Sequence, residues 1–271
     1  MALAISLQLY TVNAALEPDL DAGVARLAAI GFDTVEAFAF VGRSAELKSA
    51  FDAHGITATT GHAFLVQQEI PLPDGTTMTA PSHADTFAAA KELGLEIVID
   101  PFVGPDEWTT REGVERVAAR LNAAADEAAE HGLRVGYHNH DHELRPQING
   151  KPALQVLAEL LDPRVVLELD LYWASAAGVD VVAFVQELGD RIVAVHVKDG
   201  PMRSGISTAE IPQDQTPAGQ GDVPIAEVLA AAPALEYAVI EFDHSELDVF
   251  DAVEQSYRWL AATLDKEAVS A

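Results

Sequence analysis

The 271-residue chain contains no cysteine. Disulfides and thiolate metal sites are therefore excluded. Any bound metal must be held by nitrogen and oxygen donors, a set that suits Mn²⁺ first, with Co²⁺, Mg²⁺ or Zn²⁺ as alternatives. Basic residues are scarce: 16 Lys and Arg stand against 43 Asp and Glu, a formal charge of −27. A surface of that sign repels phosphate backbones and anionic lipid, so neither nucleic acid nor a membrane is an expected partner. Long apolar runs are missing as well; none approaches the roughly 18 residues of a membrane span. The opening MALAISLQLYTV has neither the basic start nor the apolar core of a secretion signal. A cytoplasmic protein is the expectation. No GxGxxG follows the first strand and no Walker glycine pattern occurs, which removes the main support for dinucleotide or P-loop nucleotide binding.

What the chain does have is a steady alternation of short β-rich runs with Ala/Leu/Glu-rich helical stretches. The strand candidates begin at Ile5, Thr34, Thr57, Glu96, Arg134, Val165, Ile192 and Tyr237. Amphipathic segments such as Asp19 to Ile30 and Arg111 to His131 separate them, several ending in Gly where a left-handed residue is wanted. Eight such units predict an α/β fold, a single TIM (β/α)8 barrel over residues 1–271. Two connections exceed the usual length, Leu65 to Ala80 and Gly200 to Val223. Both follow a strand, so both belong at the carboxyl mouth of the barrel, as lids or subunit contacts.

Polar side chains gather at the same ends: Gln8, Tyr10, Glu36, His62, Asp100, Glu168, Asp170, His196, Lys198, Glu241 and Asp243. The densest stretch is Gly136 to Glu143, GYHNHDHE, with three of the nine histidines. Any one of these could be a satisfied rim or core residue. Carboxylates gathered at the end of an apolar barrel repel one another and raise one another's pKa, and a divalent cation would relieve that.

With these motifs in place, the chain resembles the xylose isomerase-like TIM-barrel superfamily, in particular its sugar phosphate isomerase/epimerase group. The resemblance rests on ISLQLYTV, GYHNHDHE, ELDLYWASAAGVD, VHVKDG, AGQGDVP and VIEFD, in that order along the chain. It implies one divalent metal on successive strand ends, held by Asp170, His196 and Glu241, with His138 where relatives usually have a glutamate. It further implies Glu241 as ligand and base, and Glu143 or His140 as the partner in proton transfer. His62, Lys198, Glu36 and Trp173 are then the expected substrate contacts, and Glu143 is the alternative fourth ligand.

The expected activity is a divalent-metal-dependent isomerisation or epimerisation of a ketose, keto-sugar or inosose through an enediolate. The expected partner is a small sugar or cyclitol, in a possible homo-oligomer. The alternative is a metal-dependent dehydratase or lyase acting on keto-sugars or keto-glycosides by elimination. Two further readings are an endonuclease for abasic DNA, which the acidity opposes, and a catalytically silent sugar-binding barrel.

Overall fold

The computed structural model describes residues 3–71, 76–232 and 234–270. Residues 72–75 of the first long loop, together with Met1, Ala2, Pro233 and Ala271 of the expected 1–271 domain, lie outside the described residues. All eight expected strands form: β1 (Ala4–Leu7), β2 (Thr34–Ala37), β3 (Thr57–His62), β4 (Ile97–Asp100), β5 (Arg134–His138), β6 (Val165–Asp170), β7 (Ile192–Val197) and β8 (Tyr237–Ile240). From β2 to β8 each strand pairs in parallel with its successor, β8 returns to β1, and a bridge between Gln8 and Glu36 joins β1 to β2. The sheet closes into a TIM barrel.

Helices α1 (Leu20–Ile30), α2 (Ser44–His54), α3 (His83–Leu93), α4 (Arg111–Glu130), α5 (Ala153–Leu160), α6 (Val181–Leu188), α7 (Ile225–Ala231) and α8 (Val249–Ser270) follow the strands in turn. Side-chain caps start several of them: Asp19 accepts from Ala22 N, Ser82 from Asp85 N, and Thr110 from Gly113 N. α2 and α3 stop at Gly55 and Gly94, both left-handed at φ +70° and +92°, a conformation in which a Cβ would be strained. Among the described residues, no helix is long and apolar enough to cross a membrane.

Every residue of β2, β4, β6, β7 and β8 is buried, as expected for parallel strands covered on one face by helices and on the other by the barrel interior. Ile97, Ile99, Val166, Val193, Ala194, Tyr237 and Val239, from four of the strands, form one buried apolar cluster. Polar side chains occupy the strand ends. Two irregularities in register, at Val35/Glu36 and Leu167/Glu168, fall where β2 and β6 each introduce a buried glutamate. A local shift of this kind re-aims side chains at the mouth of a barrel.

Candidate metal centre and active site

Glu36, Glu168, Asp170 and Glu241 come from β2, β6 and the end of β8, and all four are buried. They are not bare. His62 Nε2 lies 3.0 Å from Glu36 Oε1 and 2.8 Å from Glu168 Oε2. His196 Nε2 lies 2.9 Å from Glu36 and 3.0 Å from Glu168, while its Nδ1 is 2.8 Å from Glu241 Oε2. His138 Nδ1 is 3.0 Å from Glu168. Lys198, 1% exposed, places Nζ 2.8 Å from Glu241, 2.9 Å from Asp243 and 3.1 Å from Asp170. Gln8 and Thr60 donate to Glu36 at 2.7 and 2.6 Å. The repulsion anticipated among the acids is thus met in large part by imidazoles and one ammonium.

The charges follow from these contacts. Burial pushes Glu241 up, but Lys198 and His196 outweigh it and hold the carboxyl well below its usual range. Glu168, raised by burial and by Glu36, is brought down to about 2 by His196 and His138. His62 resists burial and rises to about 10 between Glu36 and Glu168. Asp170 behaves differently: burial pushes it up to about 6 against Lys198 and His196. Burial and His142 bring His140 down to about 3, so it is neutral.

Two overlapping groups have donor atoms within 4.8 Å of one another: His138, Asp170, His196 and Glu241, and below them His62, His138, Glu168 and His196. Each holds one buried oxygen without a hydrogen-bond partner among the described residues. In the first it is Asp170 Oδ2, which faces Lys198 at 3.1 Å outside hydrogen-bond geometry; in the second it is Glu168 Oε1. Two imidazoles and two carboxylates fit a divalent cation that accepts mixed nitrogen and oxygen donors, and a buried carboxylate oxygen outside hydrogen-bond geometry is open to one. Both groups reach the open pocket, the first through His138 and Glu241 and the second through His62 and His138; the first alone brings a carboxylate to it. A third group, His140, His142 and Glu143, meets the same distance criterion.

That pocket, about 340 Å³, is lined by His62, His138, His140, Glu241 and Asp243 below and by Tyr10, Phe38, Phe64, Pro101, Phe102, Thr208 and Ile211 around the rim. His62, His138, His140 and Glu241 are therefore brought to one cavity, while Asp170 and His196 are not part of its lining. Glu143, Lys198, Trp173 and Glu36 are not part of its lining. Glu143 is fully buried, with Oε1 accepting from Tyr137 Oη at 2.9 Å and Oε2 accepting from His140 N at 2.9 Å, so it holds the turn that carries His140. Trp173 is 0% exposed. It sits in the one-and-a-half-turn helix Leu171–Ala176, its backbone N–H donating to Asp170 Oδ1, and its ring lies beside Lys198 beneath the floor. Glu36 acts on the pocket through His62.

Sequence reasoning assigned no site role to Glu168 or to Asp243, although both stood among the polar strand ends. Glu168 meets three histidines from three other strands, and only closure of the barrel brings these together. Asp141 likewise gains its role from the fold: Oδ1 accepts from Thr208 N and Oγ1 at 3.1 and 2.7 Å, and Oδ2 accepts from Arg145 at 2.6 Å. The GYHNHDHE turn is thereby tied to the Gly200–Val223 loop where that loop covers the mouth.

The carboxyl end of this TIM barrel thus gathers acids and imidazoles around one pocket. The family described as xylose isomerase-like TIM barrel matches residues 24–263, and the chain belongs to that family. No curated protein matches it. Among solved structures it is similar to a sugar phosphate isomerase/epimerase from Parabacteroides distasonis, with TM-score 0.77 and 21% identity over 96% of this chain and 98% of that one. It is also similar to an IolI protein with a bound zinc atom, at TM-score 0.73 and 16% identity over 97% and 99%. A third is the probable 3-DHS dehydratase AsbF from Bacillus anthracis, at 0.71 and 15% over 96% and 99%.

Proposed function

We propose that the protein is a divalent-metal-dependent isomerase or epimerase of a ketose, keto-sugar or inosose, with the ion held by His138, Asp170, His196 and Glu241. The observation that carries this reading is the clustering of those four donors within 4.8 Å of one another, with His138 and Glu241 on the pocket lining and Asp170 Oδ2 buried outside hydrogen-bond geometry. When bound there, a divalent ion supplies positive charge beside the substrate carbonyl, which lowers the energy of an enediolate. Mixed nitrogen and oxygen donors are compatible with Mn²⁺, the ion proposed, and with Co²⁺, Mg²⁺ and Zn²⁺ as the alternatives.

The chain's own groups do the rest. Glu241, kept ionised by the Lys198 ammonium, takes the proton from the carbon next to the carbonyl. Its low pKa makes it a weak base, so the reaction depends on a C–H that the site has already acidified. His140, neutral and opening onto the same pocket, handles the proton on the other face. His62, fixed between Glu36 and Glu168, donates to a substrate oxygen. Glu143 positions His140 through its backbone N–H.

One observation favours a second outcome, elimination to give a dehydratase or lyase. An imidazole, His138, stands where the resemblance leads one to expect a second carboxylate to complete a symmetric pair of bases. Incubating keto-sugars and keto-glycosides with Mn²⁺-loaded protein in D₂O tests both. Isomerisation or epimerisation predicts deuterium at the carbon next to the carbonyl in a product of the same composition. Release of water or of an aglycone establishes elimination instead, and failure of every candidate to exchange contradicts the enediolate reading.

A further inference from the structure

TIM barrels frequently bind a substrate phosphate on backbone amides of the loops after the seventh and eighth strands. In this chain those amides are already taken. The loop after β7 turns four N–H groups toward one point: Gly200 and Val223 donate to Asp199 Oδ1 at 2.8 and 3.2 Å, and Gly219 and Gly221 donate to Asp199 Oδ2 at 2.9 and 3.0 Å. Converging amides of this kind form an anion nest. Asp199, 1% exposed, is the anion. The fit is close enough that a Cβ at Gly221 would stand 2.2 Å from Asp199 Oδ1. After β8, the N–H groups of Asp243 and His244 donate to Gln215 Oε1 at 2.8 and 3.2 Å.

Side-chain cations add little: the one raised imidazole on the lining, His62, is already paired with Glu36 and Glu168. Among the described residues, no Lys or Arg lines the pocket, while Glu241 and Asp243 do. Lys198 is enclosed by three carboxylates. Near the mouth, Arg145 is bound to Asp141 and the carbonyl of Ala176, and Arg203 to Asp214. The residues outside the described ones include no Lys or Arg. The end of a substrate remote from the floor meets Tyr10, Phe38, Phe64, Phe102 and Ile211, which suit the C–H faces of a polyol and not a dianion.

We propose that the site takes unphosphorylated sugars or cyclitols, and that Asp199 contributes to this by satisfying, from within the chain, the amides after β7 that other TIM barrels leave free for a phosphate. The proposal rests on the isomerase or epimerase reading and narrows its substrate class.

Its test compares free 2-ketoses and inososes with their monophosphates on Mn²⁺-loaded protein, by turnover and by calorimetric binding. The expected result is a preference of about 100-fold in kcat/KM for the free form of whichever compound reacts. A monophosphate that binds and reacts as well as its free form overturns the proposal and leaves the isomerase reading standing. Absence of binding and turnover with every compound, free or phosphorylated, overturns both. A second arm needs no activity: inorganic phosphate should leave the melting temperature of the metal-free wild type unchanged and raise that of Asp199→Ala, by about 4 °C. A rise in the wild type would reveal an anion site that Asp199 does not fill and would overturn the proposal even if the variant fails to fold.

Discussion

Glu241→Gln is expected to lower kcat/KM by about 1,000-fold, close to 4 kcal/mol of transition-state stabilisation. The substitution keeps the shape of the side chain and removes two things at once. An amide cannot accept the proton from the substrate carbon, and its oxygen is a poorer donor to a divalent ion. Glu241 is the one carboxylate among the proposed ligands that reaches the pocket, through which substrate must come. Lys198 and His196 would remain as donors toward the amide oxygen, so the fold should survive. Turnover and deuterium exchange in D₂O are the readouts. Wild-type exchange in the variant would show that another group removes the proton.

Lys198→Met should have the largest effect on stability, a loss of about 3–5 kcal/mol, because it leaves buried carboxylates without their counter-charge. For a chain of this size the melting temperature should fall by roughly 10 °C. Asp170, Glu241 and Asp243 all face the ammonium within 3.1 Å, and Met fills the space without a charge. Saturating Mn²⁺ should recover part of the loss, since Asp170 and Glu241 are also the proposed metal ligands. Calorimetric melting with and without the ion checks both halves. A loss below about 1 kcal/mol would mean that the acids are not carried as charges in the native state.

Much of the fold was open to reading because its signals are local. A parallel strand buried on both faces is a short apolar run, and each run from Ile5 to Tyr237 became a barrel strand. Gly55 and Gly94 mark helix ends through a conformation that other residues adopt only under strain. Asp170, His196 and Glu241 stand at strand ends in three separate motifs, and the closed barrel brings them together with His138. The alternation of side chains in a strand, however, stops at His138, where β5 ends. Beyond it, the direction of Glu143 is set by Tyr137 and by a turn, so its position beneath the pocket could not be read from spacing. Trp173, expected as a substrate contact, is turned into the core by a short helix after Asp170. The roles of Glu168 and Asp199 are not legible in sequence for another reason. Apart from Gly200, the partners of their carboxylates lie 20 or more residues away along the chain, and a register shift in β6 falls at Glu168.

Elemental analysis of purified wild-type protein and Asp170→Ala, each with and without prior chelation, tests the metal centre most directly. The account predicts about one divalent ion per chain in the wild type, restored after chelation by Mn²⁺ with a rise in melting temperature, and neither binding nor rise in Asp170→Ala. A wild type that binds no divalent ion under any condition would contradict it, leaving the imidazoles and Lys198 as the only counter-charges at the mouth of the barrel.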